Sequence, residues 1–532
     1  MTAERVYLFD STLRDGAQTQ GVDFNAADKA AIARELDRIG IDYVEGGWPG
    51  ANPKDDRFFA EPPAFGRSKL TAFGMTRRPG RSAENDPGLA ALIGSGAEAI
   101  CMVGKTWDYH VTLALGIELD ENLRMISESV AHAKTRVGEV LFDCEHFFDG
   151  YKANPDYALN CAKAAFEAGA RWVVLCDTNG GTLPHEISEI VEVVAKHIPG
   201  DHLGIHCHND TGNAVANSLA AVRAGVRQVQ GTLNGLGERC GNANLISIIP
   251  SLQLKMGFDT GLSADDLGNL RNLSHFLDKR LDRAHDRGAP YVGESAFAHK
   301  GGLHVSAVEK DPKTYEHVEP SSVGNHRHIV VSDQAGKSNI MARFREIGLD
   351  VDPNDERVNG LVEKVKAREF QGYAYDGAEA SFELLARRAL GEVPRYFRTS
   401  SFRIIDERRW EDRVQPMVLS EATVKVLIGE DQFMAVAEGN GPVHAMDLAL
   451  RKVLTPVYPS LASLHLVDYK VRILTPADAT AAVTRVVIES SDDKGEPWST
   501  VGVSENVIEA SYNALRDSIV YKLFREGAKT LH

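Results

Sequence analysis

Eight short runs rich in β-branched and aromatic residues, each followed by a helix-like stretch, limit most strongly what the first half of this chain can form. The runs are VYLFDST from Val6, YVEGGWP from Tyr43, KLTAFG from Lys69 and AICMVG from Ala99. VLFDCEHFF from Val140, WVVLCD from Trp172, LGIHCHND from Leu203 and QVQGTLNG from Gln228 complete the set. Each begins almost continuously apolar, as a parallel strand covered on both faces does. Between them lie segments such as Asn25–Gly40 and Asn154–Gly169, whose terminal glycines suit helix ends. Eight strand-then-helix units in about 260 residues have the size and rhythm of an α/β (β/α)8 TIM barrel, with a doubly wound open sheet as the alternative.

Polar residues gather where these runs end. They are the stretch Asp10 to Asp15, Glu45, Glu145, Asp177 with Thr178, His206 with His208, and Asn234. In a barrel those ends open onto one face, where active sites lie. Scattered surface polarity would not be phased in this way, so the phasing predicts an enzyme.

The pattern changes beyond the barrel, placed at residues 1–270. Residues 271–395 read as helical linker subdomains, with LGNLRNLSHFLDKRLDRAH and SNIMARFREIG as helices and a stretch dense in His, Lys and Tyr from Ala296. Residues 396–532 are strand-rich and contain an internal repeat. Phe433–Arg451 matches Trp498–Arg516, with Ala445, Ala449, Leu450 and Arg451 falling on Ala510, Ala514, Leu515 and Arg516. Two copies of one α/β unit predict a pseudo-symmetric domain with a symmetric interface, hence a homodimer. Catalytic clusters are absent from it, which points to binding or regulation, with a purely structural dimerisation domain as the alternative.

Composition excludes several classes. There are 75 acidic against 59 basic residues, a net charge of −16, and no basic tract. Nucleic acid and an anionic membrane are therefore poor partners. No apolar run approaches the roughly 18 residues that span a bilayer. The six cysteines, Cys101, Cys144, Cys161, Cys176, Cys207 and Cys240, include no C-x-x-C pair and read as small buried hydrophobes in a reducing compartment. The start MTAERVYLFD has no apolar signal region. A metal ligand at position 15 would leave little room for a cleaved leader, so the expected location is the cytoplasm.

The sharpest chemical signal is IHCHND. His206 and His208 alternate, so on a strand both imidazoles point to one face. At a barrel strand end that face is the mouth of the active site, and Asp15 at the end of the first strand supplies a hard oxygen. A His2Asp set with open positions suits a divalent ion that also chelates a substrate. Asn242 adds either a further ligand or a helix N-cap before ANLISIIP. Arg14 beside the site suits an anion forming there, or a salt bridge under a loop. Glu145 precedes two phenylalanines, an apolar setting for acid/base work, or else makes a loop ion pair. Other motifs fail on spacing. AGKSN from Ala335 lacks the earlier glycine of a P-loop, and GLGERCG from Gly235 lacks the dinucleotide fingerprint.

These residues resemble the α-isopropylmalate synthase family. Leu13, Arg14, Asp15, Gly16, Gln18 and Lys29 fit its first signature. His206, His208, Asn209, Asp210 and Gly212 fit its H-x-H-N-D-x-G signature, and LNGLGERCGNANL resembles its third block. The stretches DYVEGGWPGANPKD, AFAHKGGLHVSAV and PKTYEHVEPSSVGN are most similar to its bacterial (R)-citramalate synthase branch. The resemblance covers the whole chain and implies an acyltransferase. It would join acetyl-CoA to pyruvate, hydrolyse the thioester and feed isoleucine biosynthesis through 2-oxobutanoate. It also implies a divalent metal (Mg, Mn or Zn) held by Asp15, His206 and His208, Arg14 near the developing alkoxide, and Thr178 on the substrate carboxylate. Glu145, His304 and Tyr315 are its base candidates, the last two reaching over from a neighbouring subunit. The doubled C-terminal unit resembles the family's allosteric dimer domain, with isoleucine as the expected feedback inhibitor. A 2-isopropylmalate or homocitrate synthase using another 2-oxo acid, a lyase of the same superfamily, and a silent metabolite sensor are the rival readings.

Overall fold

The computed structural model describes residues 3–329, 337–349, 351–352, 355–409, 417–495 and 497–530. Ala335 and Gly336 of the AGKSN motif lie outside the described residues. The chain divides into two compact units, Met1–Phe297 with Glu316–Arg327, and Ala298–Tyr315 with His328–His532.

The first unit is a closed barrel of eight parallel strands in sequence order. They are β1 (Tyr7–Asp10), β2 (Tyr43–Gly47), β3 (Lys69–Met75), β4 (Ala99–Lys105), β5 (Glu139–Glu145), β6 (Trp172–Asp177), β7 (Leu203–Cys207) and β8 (Gln228–Gly231). The ring shuts where β1 pairs with β8, from Tyr7 opposite Gln228 to Asp10 opposite Gly231. The open-sheet alternative is thereby excluded.

Alternation along each strand sorts residues to two sides. Leu8, Val44, Leu70, Ile100, Val140, Val173 and Ile205 join the large core between strands and helices. Phe9, Tyr43, Phe73, Cys101, Leu141, Trp172 and Val174 pack against one another as a separate inner core. The same parity therefore assigns Lys105, Asp143, Glu145, His206 and Gln230 to the barrel interior. The intervening helices are set locally. Asn25 caps the helix Ala26–Ile39 by accepting from Asp28 N and completing a capping box. That helix ends at Gly40, whose φ of 90° lies in the left-handed region favoured by glycine.

The region expected as linker helices contributes to both units. The helix Leu270–Arg280 and residues 316–327 belong with the barrel, whereas the helices Gly302–Lys310, Lys337–Glu346, Glu356–Phe370 and Glu379–Leu390 belong to the second unit. That unit also holds a short parallel pair, β9 (Ala298–His299) with β10 (His328–Ile329). The repeat appears as two antiparallel sheets, each covered by a helix. One comprises β11 (Arg398–Arg409), β12 (Met417–Ile428) and β13 (Asp431–Gly439) with the helix Pro442–Leu454. The other comprises β14 (His465–Ile473), β15 (Thr484–Ser491) and β16 (Trp498–Ser504) with the helix Val507–Arg525. The matched alanines let each helix approach its sheet closely: a Cβ on Gly502 would stand 2.0 Å from Ala510 O, and one on Gly439 2.5 Å from Ala445 N. Among the described residues no helix is long and apolar enough to cross a membrane.

Candidate active site and metal centre

A cavity of about 330 Å3 at the C-terminal ends of the strands is lined by Arg14, Asp15, Glu145, Thr178, His206 and His208, all expected at the site. Asp15 enters from the turn that follows β1, and the two histidines enter from the end of β7. His206 Nε2 lies 3.4 Å from His208 Nε2 and 3.5 Å from Asp15 Oδ2, which is 3.8 Å from His208 Nε2. Two donors bound about 2.1 Å from one ion stand roughly 3.0–3.4 Å apart, so these spacings are near those of a common metal. All three side chains are buried, and Asp15 Oδ1 has no hydrogen-bond partner.

Asn242 completes the picture on one side. The N-cap of the following helix is Asn244, which accepts from Ile246 N. Asn242 instead forms a bridge with His208, donates through Nδ2 to Leu236 O, and keeps a buried Oδ1 with no hydrogen-bond partner. Leaving a buried oxygen unpaired is costly, and a cation there would satisfy it. The donor set fits a divalent ion.

Electrostatics agree. Burial acts most strongly on Asp15 and would raise its carboxyl, but the Arg14 guanidinium and His206 outweigh it and hold it well below the usual carboxylate range. Burial would likewise depress His206, yet hydrogen bonding to Asp15 raises it above an ordinary imidazole. Burial and the neighbouring His206 push His208 down to about 4. A fixed negative charge with two imidazole nitrogens beside it favours a cation between them.

Arg14 makes ion pairs, the second of the two readings made for it, and also lines the cavity. Its Nε donates to Glu45 Oε2 at 2.8 Å, its Nη1 lies 3.3 Å from Asp15, and its guanidinium sits 3.9 Å over the Phe73 ring. It is thus anchored from below while lining the cavity. Glu145 takes the ion-paired alternative and not the apolar setting. Phe147 and Phe148 turn outward into the core around the barrel, and the carboxylate is ion-paired to Lys105. Thr178 accepts from His146 N at 2.8 Å, and His146 holds a left-handed conformation with φ 57°. His304 and Tyr315 belong to the second unit, both exposed, with rings stacked at 4.2 Å.

Some polar strand ends do structural work instead. Asp10 accepts from Thr12 N and Oγ1, Asp177 from Thr182 Oγ1, and Asn234 binds Ser274 and Asp278. The cysteines are free, and five are buried, but Cys240 is exposed, against expectation. Lys105, Asp143 and Gln230 went unremarked in the sequence, although inward parity singles them out.

The HMGL-like family matches residues 5–274, the homocitrate synthase post-HMGL domain-like family residues 291–372, and the LeuA allosteric (dimerisation) domain residues 376–523. An (R)-citramalate synthase of Aquifex aeolicus is 53% identical over 98% of this chain and 99% of its own. One from Geobacter sulfurreducens is 51% identical over the same shares. A probable 2-isopropylmalate synthase of Methanopyrus kandleri is 32% identical over 96% of this chain and 97% of its own. With half of its length matched by one family and relatives aligned from end to end, the chain belongs to the HMGL-like family, among its enzymes that carry a LeuA allosteric (dimerisation) domain.

Proposed function

We propose that the chain condenses acetyl-CoA with pyruvate and, with water, releases (R)-citramalate and coenzyme A, a reaction on the route to 2-oxobutanoate and isoleucine. The end-to-end likeness to the Aquifex and Geobacter (R)-citramalate synthases carries this reading. Asp15, His206, His208 and Asn242 would hold the divalent ion, which when bound supplies Lewis-acid polarisation of a 2-oxo acid. Magnesium, manganese and zinc all accept this mixed oxygen and nitrogen set.

The remaining roles fall to the chain's own residues. Arg14, anchored by Glu45, offers positive charge where an alkoxide would form. Thr178 accepts from His146 N, leaving its hydroxyl hydrogen for the substrate carboxylate. Glu145, held by Lys105, is the base candidate on the barrel, with His304 and Tyr315 contributed by a partner subunit. A second cavity of about 570 Å3 shares Trp48, Met75 and Lys105 with the first and includes Leu115, Met125 and Arg78, a setting suited to the apolar arm and phosphates of coenzyme A. The repeat unit would form the homodimer and bind isoleucine as inhibitor. A cytoplasmic location accords with free, mostly buried cysteines.

Thiol release from acetyl-CoA, measured with each 2-oxo acid in turn, tests the reading. Release with pyruvate is expected. Release only with 2-oxoisovalerate or 2-oxoglutarate would instead favour a sister synthase, and none with any acid a lyase or sensor. A rate unchanged by millimolar isoleucine would remove the inhibitor assignment.

A further inference from the structure

The hydrogen bonds behind the His–Asp cluster decide which nitrogen of His206 bears a lone pair. His206 on β7 and Gln230 on β8 are register partners, and both are buried. His206 Nδ1 lies 2.9 Å from Gln230 Oε1, and Gln230 Nε2 donates to Asp143 Oδ1 at 3.0 Å. Asp143 is buried as well, on β5. A side-chain amide has one donating and one accepting end, assigned here by its neighbours. Turned the other way, the amide would set its oxygen against the Asp143 carboxylate. As placed, its oxygen faces Nδ1, so Nδ1 carries the hydrogen and Nε2 is the nitrogen left to ligate an ion held with Asp15 and His208. The other imidazole lacks this support, since His208 Nδ1 is buried with no hydrogen-bond partner.

We propose that Gln230, held by Asp143, is a positioning residue that fixes the Nδ1–H tautomer of His206 and makes it the pre-set metal ligand of the pair. The inference rests on the metal reading above. Partners of this kind behind ligating histidines typically contribute 10- to 100-fold in metal affinity.

The test is titration of the metal-free full-length chain with Mn2+, read as the electron paramagnetic resonance signal of the free ion. Gln230→Met is expected to weaken Mn2+ binding by about 10- to 100-fold. Asp143→Asn, which leaves Gln230 in place but lets its amide turn, should weaken binding at least about threefold less than Gln230→Met, with unchanged far-ultraviolet circular dichroism in both. Equal losses in the two variants, or unaltered binding in Gln230→Met, would overturn the proposal. A parent chain that binds no Mn2+ would overturn the metal reading and this proposal together, a result distinct from a variant-only effect. If Gln230→Met does not fold, 15N spectra of labelled imidazoles in the parent with saturating Zn2+ decide. His206, assigned by His206→Asn, should show an Nδ1–H ring, and an Nε2–H ring overturns the inference.

Discussion

Lys105 and Glu145 stand opposite one another at the ends of β4 and β5, in register, and their side chains form an ion pair on the cavity wall. A base candidate is therefore delivered with its own counter-charge. Replacing Lys105 by Met should lower kcat for thiol release at least about tenfold, since positioned acid/base groups contribute on the order of 10²–10⁴. Mn2+ affinity should not change, because Lys105 does not touch the His–Asp cluster. Turnover within threefold of the parent would show that Glu145 does not depend on this pair.

His208→Ala removes one imidazole from the cluster and leaves Asp15 and His206 in place. Turnover should vanish while the circular dichroism spectrum stays that of a folded chain. Chelator should silence the parent in the same assay. Full activity in the presence of chelator would sink the metal assignment.

Asp10 gives a pH signature. Burial pushes its carboxyl up to about 7, with the Thr12 N–H and O–H offsetting part of the rise. The unfolded carboxyl titrates near 3.9. Between these values the folded chain keeps a proton that the unfolded chain releases, so stability from this group is present below about pH 4 and is lost as pH rises through 7. Asn at this position cannot ionise. Relative to wild type, Asp10→Asn should therefore gain stability between pH 5 and 8, by on the order of 2–4 kcal/mol. Parallel denaturation midpoints for the two proteins across that range would contradict the assignment.

Gly502→Ala would press a methyl group against the Ala510 carbonyl. The helix Val507–Arg525 must then lift from β16, at about 1–3 kcal/mol for such overpacking. The expected result is a lowered melting transition for the second unit, with Mn2+ binding by the barrel unaltered. A chain that melts as before would mean that the helix gives way at no cost.

Much of this architecture was legible beforehand because its signals are local. Continuous apolar runs ending in polar residues define barrel strands, and two histidines one residue apart on a strand must share a face. Other residues were hidden by equally physical causes. Lys105 falls just past the apolar run AICMVG, and only its strand partner reveals what it does. The phenylalanines after Glu145 suggested apolar surroundings because composition does not say which way a ring turns. Gln230 lies in a strand of four residues, too short for its alternation to stand out. Asn242 and Asn244 compete for one cap, and their shared residue type cannot decide between them.

The seam between β1 and β8 has a consequence for how this barrel comes apart. Asp15 follows the first strand and His208 the seventh, so the two meet only when the chain's earliest strand docks on its eighth. An ion gripped by both would act as a clasp across that closure. Its affinity would add to the stability of the ring, about 2.7 kcal/mol at a hundredfold excess over Kd. The His–Asp cluster would thereby double as a fastening of the fold.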